Sequence, residues 1–263
     1  MKARLKQIAE RLADHNFWIG RSADRERVGN LITSLRPRGT VAPLIRIGPA
    51  GDGGYLVPDD LEGISACVSP GVSVEVGFDK EMADRGIDVY MADASVNGPP
   101  HMNDHFHFVK KFLDVFDDET HVRLDTFTET ISSENDLILQ MDIEGAEWRV
   151  LLDTSPKTLG RFRIMVIEFH DMKEMFGRFS YELIEATFAK ILQTHSVVHI
   201  HPNNVVTSTH FAGLTVPSLM ELTFYRNDRA FSSERPSSYP HPLDSDNVSH
   251  RPTVVLPRDW WMQ

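Results

Sequence analysis

The sequence predicts an α/β protein built on a seven-stranded, mainly parallel sheet, and three observations carry that reading. From residue 64 onward, short apolar runs alternate with amphipathic helical patterns, as parallel strands joined by crossover helices require. The run Leu137-Ile138-Leu139 is too short for a helix and apolar at consecutive positions, which suits a strand covered on both faces. The last two strand-like segments, 197–201 and 219–225, have no helical pattern between them and are expected to pair antiparallel at one edge.

Taken in order, residues 2–14 place Leu5, Ile8, Ala9 and Leu12 on one face and charges on the other, predicting an amphipathic helix. A second helix is expected over 24–35 through Val28, Leu31 and Ile32, stopped near Pro37. Together they make an N-terminal helical arm, residues 1–40, with two uses open: covering the sheet, or contacting a second copy in a homo-oligomer. Leu44–Ile47 reads as a short strand, followed by the turn Asp52-Gly53-Gly54-Tyr55. Its paired glycines permit positive φ and a close approach of backbone to a ligand, although an ordinary hairpin turn would use them too.

The sheet domain, residues 41–228, continues with a strand at 64–69 and a helix at 74–85 that turns Phe78, Met82 and Ala83 inward. A strand at 87–91 follows, then a helix over 103–116 on the spacing of Phe106, Val109, Phe112, Leu113 and Phe116. A short strand is expected at 122–124, the core strand at 136–143 with a helix to about 153, a strand at 163–169 and a helix at 181–192. Residues 229–263 are rich in Pro and Ser and end in Trp260-Trp261 and two further residues; an extension packed on the domain is expected there.

Composition narrows the function. Lys plus Arg number 27 against 38 Asp plus Glu, a formal charge of −11, and no Lys/Arg block forms a phosphate-tracking stripe, which argues against a nucleic-acid partner. Cys67 is the single cysteine; it cannot build an intramolecular disulfide framework and fits a reducing compartment. No stretch approaches the roughly 20 apolar residues of a membrane span, and residues 1–17 lack the apolar core of a signal peptide. A soluble, cytoplasmic protein is expected.

Chemistry is expected outside the carboxyl ends of the strands, where open α/β sheets bind ligands. The segment DLILQMDIEGAE, 136–147, ends its strand in Asp142 and Glu144; these acids either cap the next helix or serve a site. The other strand ends carry Ser69-Pro70-Gly71, Asp93, Glu168-Phe169-His170-Asp171, and His199 to Asn204. Asp93 stands where an acid commonly accepts hydrogen bonds from a ribose diol. A carboxylate and an imidazole on neighbouring strands can act as a base or hold a divalent cation. Glu168 could equally pair with Arg46 or Arg163, and His199 could be a satisfied inward histidine. The trio His101, His105 and His107 has metal-like spacing but no cysteines and few acids nearby, so it reads as a substrate-side or surface segment. One glycine stands where dinucleotide folds show G-x-G-x-x-G, which argues against a nicotinamide oxidoreductase.

Six segments in this order, DGGYLVPDDL (52–61), SPGVSVEVGFDKEMADRGIDVYMADASVNGPP (69–100), LILQMDIEGAEWRVLL (137–152), RFRIMVIEFHD (161–171), HIHPNN (199–204) and VPSLMELTFYRND (216–228), resemble the FkbM-type family of S-adenosylmethionine-dependent methyltransferases. The resemblance implies a Rossmann-like class I methyltransferase fold and O-methylation of a sugar, glycan or natural-product hydroxyl. It implies that Asp52, Gly53, Gly54, Tyr55, Ser69, Pro70 and Gly71 lie along S-adenosylmethionine, with Asp93, Ala94 and Ser95 at its ribose. Asp142, Glu168, His170 and His201 are the catalytic candidates. Asp142 and His170 act either as base and orienter or as ligands of Mg²⁺ or Mn²⁺, with His201 or Asn203 completing the site. The chain departs from the wider methyltransferase pattern in one place: Ser69-Pro70-Gly71-Val72-Ser73 replaces the E/D-x-G-x-G-x-G loop. A non-catalytic sugar- or nucleotide-binding module on the same fold is the alternative.

Overall fold

The structure, a computed structural model, describes residues 20–72 and 74–262; the helix expected over 2–14 lies outside them. The first described helix, α1 (Arg25–Ser34), is started by Asp24, whose side chain accepts from the amides of Glu26 and Arg27 and so satisfies donors a first turn leaves free. Its Val28, Leu31 and Ile32 are buried. Strands β1 (Leu44–Ile47) and β2 (Tyr55–Pro58) form an antiparallel hairpin around the DGG turn.

The sheet begins with β3 (Ala66–Pro70), followed by α2 (Gly77–Asp84), β4 (Asp88–Ala92) and β5 (Phe106–Val109). Two short strands, β6 (Phe112–Leu113) and β7 (His121–Val122), pair with each other, and α3 (Leu124–Glu129) leads to β8 (Leu137–Met141). Then come α4 (Glu147–Asp153), α5 (Pro156–Arg161), β9 (Phe162–Phe169), α6 (Arg178–Ile191) and β10 (His195–Pro202). A small hairpin of β11 (Ser208–Phe211) and β12 (Leu214–Pro217) precedes the last strand, β13 (Met220–Arg226).

Seven strands form one mixed sheet in the order β10-β13-β9-β8-β3-β4-β5. The pairs from β9 to β5 are parallel, and β13 is antiparallel to both β9 and β10. The chain moves outward from β3 through β4 to β5, then returns to β8 on the other side of β3. The strand order therefore reverses between β3 and β8, and crevices in open α/β sheets form at such a switch point.

Both faces of the sheet are covered, which explains the unbroken apolar run in β8. Leu137, Leu139 and Met141 join one core cluster with Trp148, Tyr181, Ile184 and Phe188. Ile138, one residue out of phase, joins the opposite cluster with Phe78, Met82, Ile47 and Val57, as the alternation of a strand requires.

Two expectations fail. Residues 103–116 are not a helix: β5 and β6 lie there. Phe106 and Phe108 are half-buried against the core while His107 and Val109 are exposed, so the operative period is two; the aromatic spacing also fits a helical period, which misled the reading. The strand expected at 122–124 stops at Val122, and Leu124 opens α3. Two short helices and the β11–β12 hairpin had no expectation. Among the described residues, no helix is long and apolar enough to cross a membrane.

The tail crosses back over the sheet. Trp260 is 0% exposed, its Nε1 donates to the Thr215 carbonyl at 3.0 Å, and it belongs to the same cluster as β8 and α6. Trp260→Ala is expected to lower stability by about 3–5 kcal/mol, the cost of a large cavity, as read by urea unfolding. A loss below about 1 kcal/mol would mean that the tail is not part of the core.

Candidate active site

The tips of β3 and β8 meet at backbone distance. The Asp142 amide donates to the Pro70 carbonyl at 3.3 Å, and Gly71 sits at φ +90°, where a Cβ would fall 1.5 Å from the Asp142 carbonyl oxygen. Only glycine fits there. After Asp142 the chain turns through Glu144 (φ 55°) and Gly145 (φ 97°). Glu147, fully buried at the start of α4, steadies that turn: its Oε1 accepts from the amides of Ile143 and Gly145, each at 3.1 Å.

Two cavities flank this contact and share Gly71 and Asp142. The larger, about 290 Å³, is lined by Asp93 and Ser95 from the β4 end, by Phe112, Leu113 and His121, and by Ile143 and Ala146. Asp93 is buried and its Oδ1 accepts from the Ser95 amide at 2.6 Å. The smaller, about 30 Å³, is lined by Asp52, Gly53 and Tyr55 of the hairpin together with Gln140 and Asp142. The expected residues thus divide. Asp52, Gly53, Tyr55, Gly71, Asp93 and Ser95 line the cavities. Gly54 packs instead under the Pro49 carbonyl, which a Cβ would meet at 1.9 Å. Ser69 is buried and donates to Gln140 Oε1 at 2.8 Å. Pro70 serves through its carbonyl, and Ala92 rather than Ala94 lines the larger cavity.

Beyond Asp142 the site is a crowd of acids around one imidazole. His170 Nδ1 lies 3.2 Å from Glu147 Oε1; its Nε2 lies 3.4 Å from Glu144, 3.8 Å from Glu168 and 3.9 Å from Asp142. Burial alone would lower the His170 pKa, but the hydrogen bond to Glu147 and the fields of Glu147, Asp142 and Glu144 outweigh it and raise the value. Burial raises Asp142, with Glu144, Glu147 and Asp52 adding to it and His170 opposing. Burial raises Glu168 strongly, helped by Glu221, Asp142 and Asp52 and opposed by the Asn203 amide, which lies 3.3 Å and 3.4 Å from its oxygens.

Asp142, Glu147 and His170 each offer a ligand atom within 4.8 Å of the others. Asp142 Oδ1 and Glu147 Oε2 are buried and make no hydrogen bond among the described residues, so the set suits a divalent cation in donor chemistry.

His201 is placed differently from the other catalytic candidates. It sits opposite Glu221 across β10 and β13, and Glu221 sits opposite Glu168 across β13 and β9. Its partners are Asn247 Oδ1, 3.2 Å from Nε2, and Asp244 Oδ1, 3.6 Å from Nδ1. Two strands therefore separate it from the β8 tip. Asn247 also donates to Glu221 at 2.7 Å and to Asp52 at 3.1 Å. His199 is a satisfied inward histidine, 3% exposed and 2.8 Å from Asp244. Glu168 pairs with neither Arg46 nor Arg163: Arg46 donates to the carbonyls of Pro49 and Gly51, and Arg163 to Asp136 and Asp60. His105 and His107 face Asp88, at the opening end of β4, away from the crevice.

Sequence reasoning missed Glu147, Glu221, Asp244, Asn247 and Phe112. Glu147 was visible within DIEGAE but read only as the restart of a helix. Phe112 was hidden by the mistaken helix, and nothing local marks Asn247, whose role depends on where the tail crosses.

Glu168 yields a test with a definite sign. Its carboxyl is raised above the ordinary 4.5 in the fold, so the stability it contributes is full below that value and is lost as pH rises toward the folded pKa. Glu168→Gln removes this ionisation and is expected to stabilise the protein near neutral pH by roughly 1–3 kcal/mol. The gain should vanish as pH falls below 4.5 in pH-dependent urea melts. Destabilisation at every pH would show that Glu168 is ionised and bonded in the fold.

Comparison with known proteins adds the following. Residues 68–195 match the family described as Methyltransferase FkbM domain. No curated protein matches the chain. Among solved structures it is similar to a putative hemolysin from Streptococcus thermophilus, at 9% identity over 67% of this chain and 72% of that one, with a TM-score of 0.36. It is also similar to an rRNA methylase from Streptococcus thermophilus, at 7% identity over 76% and 94%, TM-score 0.33. A third is the N-methyltransferase NodS from Bradyrhizobium japonicum WM9, at 10% identity over 77% and 95%, TM-score 0.32.

Proposed function

We propose, from the match of residues 68–195 to the Methyltransferase FkbM domain family, that the protein is an S-adenosylmethionine-dependent O-methyltransferase acting on a hydroxyl of a sugar-bearing acceptor. The observation that carries this reading is the pair of cavities that share Gly71 and Asp142 in their walls. The larger has the make-up a nucleoside needs: a buried acid, Asp93, for a ribose diol, and a slot of Phe112, Leu113, Ile143 and Ala146 for a flat base. When bound, S-adenosylmethionine supplies an electrophilic methyl group on a sulfonium centre.

The chain's residues would align the acceptor and take its proton. Asp142, in the walls of both cavities with Oδ1 unbonded, is the proposed base. A general base works best with a pKa lifted toward the operating pH, and burial lifts Asp142 in that direction. His170, held by Glu147, orients the carboxylate and receives the field of the proton as it moves. Glu168 with Asn203, and Glu221 with Asn247, are carboxylate–amide pairs of the kind that bind hydroxyl groups through paired planar acceptors and donors. These support a carbohydrate acceptor over an apolar one.

A second reading keeps the same acceptor and places Mg²⁺ or Mn²⁺ on Asp142, Glu147 and His170. The two unbonded buried carboxylate oxygens favour it, and such a cation would lower the pKa of a bound hydroxyl.

Methyl transfer from labelled S-adenosylmethionine to glycan acceptors tests the activity, and Asp142→Asn is expected to reduce kcat by about 100-fold or more. On the base reading, kcat/KM rises with pH through the raised Asp142 pKa, because only the ionised form accepts a proton. Dialysis against EDTA separates the two readings: unchanged turnover supports the base, and loss restored by Mn²⁺ supports the cation.

A further inference from the structure

A third cavity shares no lining residue with the two at Gly71. It measures about 90 Å³ and lies where the tail crosses the end of β10. His201, Asp244 and Asp246 make its polar side, and Tyr239, Pro202 and Leu256 its apolar side. The Asp244 side chain is 5% exposed, whereas Thr253, also in the lining, is exposed, so the cavity runs inward from the surface. His201 stands opposite Glu221, and Glu221 opposite Glu168. Two strand spacings, about 10 Å, therefore separate His201 from Glu168.

Two polar atoms on these walls are buried and make no hydrogen bond among the described residues: His201 Nδ1 and Tyr239 Oη. His201 is 8% exposed, and its Nε2 is committed to Asn247 Oδ1 at 3.2 Å. Asp244 Oδ1, at 3.6 Å from Nδ1, is beyond hydrogen-bonding reach. Buried polar atoms are rarely left without a partner, and here two of them belong to the wall of one cavity.

The chemistry of the walls selects the partner. Burial would raise the Asp244 carboxyl, but His199 and His201 hold it far below the ordinary range, so it accepts hydrogen bonds and donates none. No lysine or arginine is among the described lining residues, which disfavours an anion. Burial would lower the His201 pKa, but Asp244, Glu221 and Asn247 outweigh it and raise the value. With Nε2 donating to Asn247, a neutral His201 accepts at Nδ1; as an imidazolium it donates there. An ammonium suits only the first state. A hydroxyl suits both, and suits Tyr239 Oη in either sense. The cavity holds roughly three water-sized groups, the scale of one edge of a sugar ring.

We propose that this cavity is a sugar-binding subsite separate from Asp142, in which His201 and Asp244 take the hydroxyls of a neutral ring edge and Tyr239 covers its apolar face. The subsite does not depend on the methyltransferase reading and goes beyond it, because a ring seated there is not the ring whose hydroxyl would meet Asp142.

Imidazole nitrogen NMR of histidine-labelled protein tests this, with the His201 and His170 signals assigned by their loss in His201→Gln and His170→Gln. The probes are the methyl α-glycosides of glucose, galactose, mannose and rhamnose, with glycerol as a hydroxyl-bearing molecule that has no ring face. At least one glycoside is expected to move the His201 signal and to bind about 10-fold more tightly than glycerol, the gain from covering a ring face. Ser245→Trp, which adds bulk to the cavity wall, should abolish that shift. No movement of His201 with any glycoside would overturn the proposal and leave the cavity to water. Equal affinity for glycerol would overturn the assignment to a sugar ring, and movement of His170 alone would place the ring at the catalytic centre. A His201 shift that survives in folded Ser245→Trp would overturn the location; if that variant does not fold, the shift in the native protein decides. Titration of the same sample with S-adenosylhomocysteine keeps the two readings apart: whichever ligand binds without the other leaves its own reading standing and overturns the other.

Discussion

The architecture of the site depends on one close approach, that of the β3 end to the β8 end. A side chain at residue 71 would collide with the Asp142 carbonyl, so the two strand tips can touch only because Gly71 has none. The strand order reverses at this contact, and the chain leaves the two tips in opposite directions, which opens space on either side of it. The turn after Asp142 is held from beneath by the buried Glu147 carboxylate. Glu144 and Asp171, both non-glycine residues at positive φ, sit at the ends of neighbouring strands. Backbone strain of that kind concentrates where the surrounding structure must fix a geometry, and here it fixes Asp142 and His170.

The two ends of the sheet treat charge in opposite ways. At the opening ends of the strands, Asp136 meets Arg163 and Arg226, and Asp60 meets Arg163 and Arg229. Both acids are held below the ordinary range: their arginine partners overcome the effect of burial. At the carboxyl ends, Glu168, Glu221 and Asp79 are buried and Asp142 is half-buried; amides, imidazoles and one another stand where arginine pairs stand at the other end, and all four are raised. Arg46 stands near Glu221 but directs its hydrogen bonds to main-chain carbonyls. A fold that neutralises its acids at one end can do so at the other. Leaving these carboxyl groups without arginine partners costs stability, and pKa values displaced by burial and by specific neighbours are characteristic of functional sites.

Legibility in the sequence followed the range of the interactions. The strands β3, β4, β8 and β9 were readable because each is a local apolar run, and Gly71, Asp93, Asp142, Glu168 and His170 follow from where those runs end. Phe106, Phe108 and Phe112 were misread because their spacing satisfies two periods and only burial decides between them. Glu221 lies inside a strand rather than beyond its tip, so the rule that drew attention to the other acids passed it over. Asn247 reaches Asp52 and Glu221 from positions 195 and 26 residues away. No local pattern encodes a partner at that separation, because it is set by the path of the tail over the sheet.

On the proposed reading, the same distinction divides the site by origin. The nucleoside side is made by Gly71, Asp93, Phe112 and Ala146, all within the matched segment 68–195. The acceptor side takes His201, Glu221 and Asn247 from the strands and tail after it. One amide, that of Asn247, bonds Glu221 and His201 and also reaches Asp52 of the hairpin. Asp244, also in the tail, is hydrogen-bonded to His199 at 2.8 Å and lies 3.6 Å from His201, and these two imidazoles keep its carboxyl far below the ordinary range despite burial. The geometry of the acceptor side is thus set by contacts among segments distant in the chain. The donor side is set by two adjacent strand tips and the turns that leave them. A change of acceptor could then be made in the last two strands of the sheet and the tail without disturbing the contact between Gly71 and Asp142 on which donor binding depends.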